Sequence, residues 1–414
     1  MRDYLKINKI VKSNNKITYL YECTGKWEKT LNLDDKFNVE YEFSIEDVPD
    51  SIAIIPFICN ILPISWVYDI DIIVEELDEK FYNNLSKIKE GYQNMYPSIN
   101  MLGNISVKKI SNNKLISKGS CMFFSGGVDA FNTLLNHYDE KPALITVWGS
   151  DVSLNNLSAW DKVNSHIKKV STEFGLNHFV IKSNFRTFLN YKELTSHVHK
   201  LINAEWWHDF QHGIGLIGLS APLVYINKFE HIYIASSFTI SEKGKITCAS
   251  DPTIDNNLKF SNCKTVHDGY EFSRQDKIKN IINWCDKFKK KVLLRVCWKS
   301  SLGYNCCSCE KCYRTMLGII AEKKDPNDFG FDLTYLKRKR MMKELKTIVK
   351  YDALRYTYIK NAFIKNYSLD ETPDDLIWLR HIELKNKKPF YVKVYEKIRI
   401  LNKKIYNKLF KKRG

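Results

Sequence analysis

Four cysteines in the last third of the chain have the spacing of a metal site. They follow the pattern C-x8-C-x2-C-x2-C and are Cys297, Cys306, Cys309 and Cys312. Gaps of two residues let successive thiolates turn back onto one ion, and four sulfur ligands at about 2.3 Å suit tetrahedral Zn²⁺. Four protein ligands leave no position for a water molecule. We therefore expect a zinc ion that stabilises the fold and takes no part in a reaction.

The cysteine segment leaves two points open. Cys307 directly follows Cys306, and the regular two-residue spacing favours Cys306 as the ligand without deciding between them. An iron–sulfur centre and a reduced, metal-free cluster are alternatives to zinc, because they would use the same thiols.

A second candidate site is the run from Ser125 to Ala130, which reads Ser-Gly-Gly-Val-Asp-Ala and follows an apolar segment. The adjacent glycines Gly126 and Gly127 allow a tight turn and a close approach of the backbone to a ligand. A helix that begins near Val128 adds free N–H groups and a partial positive charge. We therefore expect this loop to cradle the phosphates of a nucleotide.

The loop differs from two common nucleotide-binding motifs. It lacks the G-x-x-x-x-G-K-[ST] pattern of a Walker A loop, and it lacks the third glycine of a dinucleotide-binding turn. Asp129 has two possible roles in it. Its carboxylate could cap the helix, or it could help to hold Mg²⁺ on the phosphates.

The loop resembles the SGG-x-D-S motif of the PP-loop ATP pyrophosphatases. Those enzymes hold the β- and γ-phosphates of ATP on the loop while ATP is cut between the α- and β-phosphates. The loop and the four cysteines together resemble 7-cyano-7-deazaguanine synthase over about residues 115 to 320, with Arg314 closely following the last cysteine. This resemblance implies ATP, Mg²⁺ and Zn²⁺ as cofactors. Ala130 departs from the motif, because the superfamily has a serine there.

The resemblance also implies residues outside the loop. Arg274 and Lys277 lie in a segment similar to one where the family places a lysine near the phosphates, so with Asp129 they are the catalytic candidates; a solvated basic helix start is the alternative. Trp148 and Gly149 follow the second strand, where such folds bind adenine. The family's Tyr-Gly-Gln is replaced there, which leaves the substrate open.

Two further groups are candidates for an acceptor site. Four histidines lie near two tryptophans on a predicted helix, and they could line a pocket or simply pack: His197, His199, His208 and His212, with Trp206 and Trp207. Asn184 and Arg186 follow a predicted strand, at the end where open α/β sheets bind ligands.

Hydrophobic periodicity predicts the elements that must position these residues. Apolar runs predict strands at 117–124, 143–147, 178–181 and 231–235. Segments of helical spacing lie between them, at 130–137, 159–174 and 199–219. Strands that alternate with helices form parallel sheets with helices on both faces. We therefore predict an α/β fold, which the resemblance implies is of the adenine nucleotide α-hydrolase type.

The rest of the chain predicts two further regions. Short β-favouring runs separated by polar turns precede residue 75, and the chain is largely helical after Asp276. We expect an N-terminal β-rich (α+β) domain over residues 1–112, a PP-loop domain that includes the four cysteines over 113–330, and a basic helical extension over 331–414.

The chain has a formal charge of +17 and a pI near 9.2, which favours polyanionic partners such as nucleic acid, an anionic membrane surface or a phosphorylated substrate. Much of the excess charge lies in the last third. Residues 385–413 combine helical apolar spacing with many lysines and arginines, so this tail is a candidate to dock on nucleic acid or an anionic membrane. A solvated helix that packs on the enzyme is the alternative.

No segment predicts export or membrane insertion. The N-terminus lacks the apolar region of a signal peptide, and the apolar stretch 51–67 contains Pro56 and Pro63 and is too short to span a bilayer. Eleven cysteines, four of them at metal-ligand spacing, suit a reducing compartment. We expect a cytoplasmic protein without a transmembrane segment, and consider a homodimer as one assembly.

These features predict an ATP-dependent ligase that forms C–N bonds. It would adenylate a carboxylate or amide-type acceptor, small molecule or macromolecule, and an amine would then displace AMP. One alternative is an RNA-thiolating enzyme, which needs a reactive thiol such as Cys121, Cys248 or Cys263. The other is a non-catalytic nucleotide- or RNA-binding module in which Ala130 marks a degenerate loop.

Overall fold

Eleven strands form one mostly parallel sheet in the computed structural model, which describes residues 2–297 and 303–386. Along the chain the strands are β1 (Tyr4–Ser13), β2 (Lys16–Cys23), β3 (Asn38–Glu40), β4 (Asp71–Asp78), β5 (Ile105–Ser111), β6 (Ser120–Phe123), β7 (Ala143–Trp148), β8 (His178–Ser183), β9 (His231–Ala235), β10 (Lys259–Phe260) and β11 (Cys263–Asp268). Their spatial order is β10-β11-β9-β6-β7-β8-β3-β2-β1-β4-β5.

The order in which the chain adds strands to the centre of the sheet reverses beside β6. β8, β7, β6, β9 and β11 are neighbours in that order and run parallel. From β6 the chain moves outward through β7 and β8, then returns to the other side of β6 to form β9 and β11. In open α/β sheets, ligands bind outside the carboxyl ends of the strands at such a switch point. The loop that follows β6 therefore lies at the expected ligand-binding position.

Helices connect and cover the strands. Along the chain they are α1 (Lys26–Thr30), α2 (Asp50–Ala53), α3 (Ile55–Tyr68), α4 (Glu79–Tyr82), α5 (Leu85–Met95), α6 (Val128–Asn136), α7 (Leu157–Phe174), α8 (Tyr191–Ile202), α9 (His212–Leu219), α10 (Ala221–Asn227), α11 (Pro252–Asp255), α12 (Arg274–Phe288), α13 (Glu310–Ala321), α14 (Tyr335–Lys350), α15 (Ala353–Asn366) and α16 (Ile377–His381). None of those in the described residues has both the length and the apolar character needed to cross a bilayer.

Alternate residues of the central strands pack into different cores. Cys121 of β6 and Ile145 of β7 belong to a large apolar core that includes α3, α9 and α10. Met122 and Leu144 are equally buried but lie outside that core, as does Phe131 of α6. Side chains alternate between the two faces of a sheet. Helices therefore cover both faces of the parallel strands, as the alternating pattern predicts.

The chain divides into two compact units, Met1–Asn305 and Cys306–Gly414, which differ from the domains expected from the sequence. No break falls near residue 112, because β3 pairs with β8 through Val39 and Ser183 and joins the N-terminal strands to the same sheet. Among these strands, β1 and β2 are antiparallel, and β4 runs parallel to both β1 and β5.

Two segments have a form that the sequence patterns did not predict. The apolar stretch 51–67 becomes α2 and α3, and all 14 residues of α3 are buried. The helix expected over 199–219 is interrupted: α8 ends at Ile202, its C-cap Asn203 adopts a left-handed conformation, and a π-helix over Trp207–Gln211 precedes α9. Asparagine tolerates this conformation and favours a helix end.

The second unit is helical in its described part. It contains α13 to α16, and α15 packs against both α13 and α14. Most of the basic tail predicted over 385–413 lies outside the described residues.

Candidate functional site

The strand, loop and helix around Gly126 lie where the sequence predicts them. β6 ends at Phe123, Gly127 is the N-cap of α6, and the Gly127 N–H lies 3.4 Å from the Ser125 hydroxyl. Gly126 has φ +76°, a conformation that favours glycine. A Cβ atom at Gly126 would lie 2.9 Å from Nε2 of His166. The loop therefore needs glycine at this position.

Arg295 and His166 flank the loop. The Arg295 backbone N–H donates to the Gly126 carbonyl at 2.7 Å, and its Nη1 donates to the Ser125 carbonyl at 3.3 Å. Within the described residues, Nε of Arg295 and Nε2 of His166 are buried without a hydrogen-bond partner. Unpartnered buried polar atoms are rare, and one explanation is an absent ligand. Together with the helix N-terminus, this guanidinium makes the loop suited to an anion.

The His166 imidazole is neutral at physiological pH. Burial, together with the smaller effect of the positive charges of Arg295 and Lys169, lowers the pKa of His166 to about 4. The permanent positive charge at this side of the loop therefore comes from Arg295. No sequence motif pointed to either residue, because both come from segments distant from the loop.

The three predicted catalytic residues lie together. Asp129, in the first turn of α6, accepts from Nη1 of Arg274 at 2.9 Å and lies 3.4 Å from Nζ of Lys277. Lys277 is buried and also donates to the Ser236 carbonyl at the end of β9. Two cations against one carboxylate leave a net positive charge beside the loop.

A capping box explains the placement of the two cations. The Ser273 hydroxyl accepts from the Asp276 N–H, and the Asp276 carboxylate accepts from the Ser273 N–H. This arrangement fixes the start of α12. Arg274 and Lys277 are three residues apart in its first turn, so they share one face of the helix.

Trp148 and Gly149 lie at the carboxyl end of β7, as predicted. The Trp148 ring stacks on Trp160 with centroids 4.9 Å apart and an angle of 3° between the planes. Gly149 has φ +108°, and a Cβ atom there would lie 1.9 Å from the Ser183 carbonyl oxygen at the end of β8. Gly149 thus allows two strand ends to approach closely. A role of either residue in binding adenine stays a prediction.

The groups considered for an acceptor site separate in the structure. Trp206 is fully buried against Phe210, and His197 stacks on Tyr68. The Asn184 side chain holds the loop before β3, donating to Asp35 and Lys36 and accepting from the Asn38 N–H. Both groups therefore contain packing residues.

Arg186 and Trp207 do come together beyond the end of β8. The Arg186 guanidinium carbon lies 4.2 Å from the Trp207 ring centroid and 5.1 Å from that of Tyr191. Its Nη1 donates to the Ser150 carbonyl, which follows β7. Trp207 belongs to the π-helix, an element common at functional sites.

The four predicted metal ligands also lie together. One ligand atom from each of Cys297, Cys306, Cys309 and Cys312 lies within 4.8 Å of the others. In a tetrahedral zinc site with Zn–S bonds of about 2.3 Å, the sulfurs are about 3.8 Å apart. The four thiols therefore fit a metal ion such as zinc.

Cys307 is directed to a different contact. Its sulfur accepts from the Asp332 backbone N–H at 3.3 Å, and its φ of +48° turns the chain between Cys306 and Cys309. Its burial raises the pKa of the Cys307 thiol. The structure thus favours Cys306 over Cys307 as the fourth ligand.

Asn305 holds together the chain on either side of Cys297. Its Oδ1 accepts from the Val296 N–H at 2.8 Å, and its Nδ2 donates to the Leu294 carbonyl at 2.7 Å. An amide side chain can do both, whereas the carboxylate of aspartate only accepts and alanine does neither. Asn305 therefore positions the segment that carries the first cysteine.

We expect both Asn305→Asp and Asn305→Ala to lower zinc affinity by about tenfold or more, because residues that orient metal ligands commonly contribute this much. Competition with a chromophoric chelator measures the affinity. The control is Asn155→Ala, at an exposed position. An affinity equal to that of the control in both Asn305 variants would show that Asn305 does not position the ligand.

Comparison of the sequence with known proteins does not assign the chain to a family. No model of a known protein family matches the chain, and no curated protein matches its sequence.

Proposed function

We propose that this chain is an ATP-dependent enzyme that adenylates a carboxylate or amide-type acceptor and joins it to an amine, similar to 7-cyano-7-deazaguanine synthase. One observation carries the proposal: the loop after β6 lies at the switch point of the sheet, and its helix holds Asp129 between Arg274 and Lys277. A glycine turn, a helix N-terminus and converging cations suit the phosphates of ATP.

In the first step, the terminal phosphates of ATP lie on the loop from Ser125 to Asp129. An acceptor oxygen attacks the α-phosphorus, and the bond from this phosphorus to the bridging oxygen of the β-phosphate breaks. Pyrophosphate leaves with the electron pair of that bond. Arg274 and Lys277 offset the growing negative charge, and the phosphates compete with Asp129 for both cations.

In the second step, the nitrogen of ammonia or another amine attacks the adenylated carbon. The bond from this carbon to the AMP oxygen breaks, AMP leaves with the electron pair, and the nitrogen loses a proton to solvent. Zinc bound by the four cysteines would supply structural support only. Mg²⁺ would balance the charge of the pyrophosphate, with Asp129 as its candidate ligand in the loop.

Burial argues against the RNA-thiolating alternative. Cys121, Cys248 and Cys263 are all buried, and burial raises the pKa of each thiol, that of Cys248 to about 12. A thiol with a raised pKa is a poor nucleophile because the thiolate is the reactive form. The observation favours adenylation without a covalent sulfur intermediate.

The products of ATP turnover test the proposal. Purified, zinc-loaded protein is given ATP, Mg²⁺, ammonia and candidate deazapurine carboxylates or a cell extract. We expect AMP and pyrophosphate as products. Formation of ADP and phosphate instead would overturn the assignment as an adenylating enzyme. Failure to form AMP with any extract would favour the non-catalytic binding module, in which Ala130 marks lost turnover.

Lys277→Met tests the assigned cation. We expect it to lower kcat for AMP formation by about 100-fold, because a buried charge that faces the phosphates is lost. Lys279→Met removes an exposed lysine from the same helix and serves as the control. If kcat for AMP formation is equal in the two variants, Lys277 does not take part in the reaction.

A further inference from the structure

Helix α14 in the second unit has an unusual charge distribution. It carries seven lysines and arginines and one glutamate in 16 residues. Its apolar residues Met341, Met342, Leu345 and Val349 are almost completely buried, and the helix packs on α15. The fold of the second unit therefore fixes which face of α14 is in solvent.

The basic residues of α14 fall into two groups. Lys337, Arg338 and Arg340 each pair with a carboxylate, that of Asp332, Asp375 or Glu344. The other group, which we name the lysine stripe, is Lys339, Lys343, Lys346 and Lys350. All four are exposed, and none forms an ion pair with any residue in the described part of the chain.

The lysine stripe lies along one side of the helix. Spacings of four, three and four residues keep its members within an arc of about 60°, over roughly 16 Å of helix. Tyr335 and Leu336 lie at its N-terminal end on the same side, 78% and 74% exposed. Lys350 also lies over the Tyr351 ring, 5.6 Å from its centroid. The surface thus combines a row of lysines without carboxylate partners in the described residues with the exposed residue Tyr335.

We propose that the lysine stripe and Tyr335 form a docking surface for single-stranded nucleic acid. Phosphates of the strand lie along the four ammonium groups, and an unstacked base packs on the Tyr335 ring. Proteins that bind single strands combine these two features, a row of positive charges and an aromatic platform. The surface is independent of the proposed ATP site and assigns a macromolecular ligand to the second unit.

Burial of the apolar stripe favours nucleic acid over an anionic membrane. An amphipathic helix binds a membrane by inserting its apolar face among the lipids. On α14 that face is occupied, since Met341 and Leu345 are fully buried. The exposed side offers mainly charge, which phosphate groups match without insertion.

Fluorescence anisotropy of the full chain with a labelled 12-nucleotide single-stranded RNA tests the proposal. The variant Lys339→Gln/Lys343→Gln/Lys346→Gln removes three charges and keeps helix propensity. The matched control Lys87→Gln/Lys168→Gln/Lys279→Gln removes three exposed lysines from other helices. Both variants retain the basic tail, so the comparison isolates the stripe.

We expect the stripe variant to bind the RNA at least tenfold more weakly than the control in 0.1 M salt. The slope of log K against log salt concentration should fall by about 2, since each lost phosphate contact removes about 0.7 from a single-strand slope. Tyr335→Ala should weaken binding of the single strand about fivefold or more and leave binding of duplex RNA unchanged.

Equal affinities of the stripe variant and the control would overturn the proposal. So would a loss that appears only with vesicles of phosphatidylserine and phosphatidylcholine, because that result would identify the surface as a membrane contact. If Tyr335→Ala lowered the affinity for single-stranded and duplex RNA equally, no unpaired base would stack on the Tyr335 ring. The assignment to a single strand would then be wrong.

Discussion

Gly126→Ala should lower AMP formation by about 1000-fold while the chain stays folded. Alanine at φ +76° costs about 1–2 kcal/mol of backbone strain. The added Cβ also lies 2.9 Å from Nε2 of His166, so the loop or the imidazole must move. A shift of about 1 Å in a catalytic site costs about 100-fold in rate, and displaced phosphate donors add to this loss. Pyrophosphate release and calorimetric titration with ATP measure the effect.

Gly119→Ala is the matched control for this variant. Gly119 has φ +75°, and nothing lies within 4 Å of the position of an added Cβ. It therefore carries the same backbone strain without the contact at the loop. We expect both variants to lose similar stability and only Gly126→Ala to lose ATP binding and turnover. If turnover survives in both, the loop after β6 does not hold the phosphates.

The parts of the site that depend on local sequence signals were predictable. An apolar run followed by two glycines marks a strand end and a tight turn, and the loop around Gly126 lies there. The cysteine spacing likewise brings four thiols together, because ligands two residues apart need only a local turn of the chain. Arg274 and Lys277 became candidates through a family resemblance, but their pairing with Asp129, 145 and 148 residues away, was not predicted.

The parts that depend on long-range packing were not predictable. Arg295 and His166 reach the loop from distant segments, and neither belongs to a motif. β3 is three residues long, yet its pairing with β8 merges the N-terminal strands into the central sheet. Such a short strand has little local signal, since its partner decides whether it forms. The expected boundary near residue 112 was therefore absent.

The same long-range contacts link the metal cluster to the nucleotide loop. Arg295 donates its backbone N–H to the Gly126 carbonyl two residues before Cys297. The side chain of Asn305, which precedes Cys306, accepts from the Val296 N–H and donates to the Leu294 carbonyl. The segment 294–297 therefore contacts the loop through Arg295 and carries one of the four clustered thiols at Cys297. A change in the metal site should reach the loop through the side-chain hydrogen bonds of Asn305 and the backbone hydrogen bond from Arg295 to Gly126.

Removal of zinc should therefore both destabilise the chain and weaken ATP binding. The free energy of binding a structural zinc ion adds directly to folding stability. A loss of several kcal/mol in the free energy of unfolding corresponds to a fall in Tm of roughly 10 °C for a large folded unit. Without the metal, the segment before Cys297 loses its anchor, so the Kd for ATP should rise about tenfold or more. Differential scanning calorimetry and ATP titration of chelator-treated protein measure the two effects.

Two neighbouring cysteines provide the matched test of this link. Cys309→Ser removes a metal ligand, so we expect its zinc content to fall below one ion per chain. Like chelator treatment, this variant should lower Tm and raise the Kd for ATP. Cys307→Ser removes a thiol that accepts from the Asp332 N–H and lies outside the cluster, so it should keep its zinc and its affinity for ATP. Loss of zinc in Cys307→Ser but not in Cys309→Ser would contradict the ligand set. Loss of zinc with an unchanged Kd for ATP would show that the metal supports the fold alone, and that the backbone bond from Arg295 to Gly126 does not depend on it.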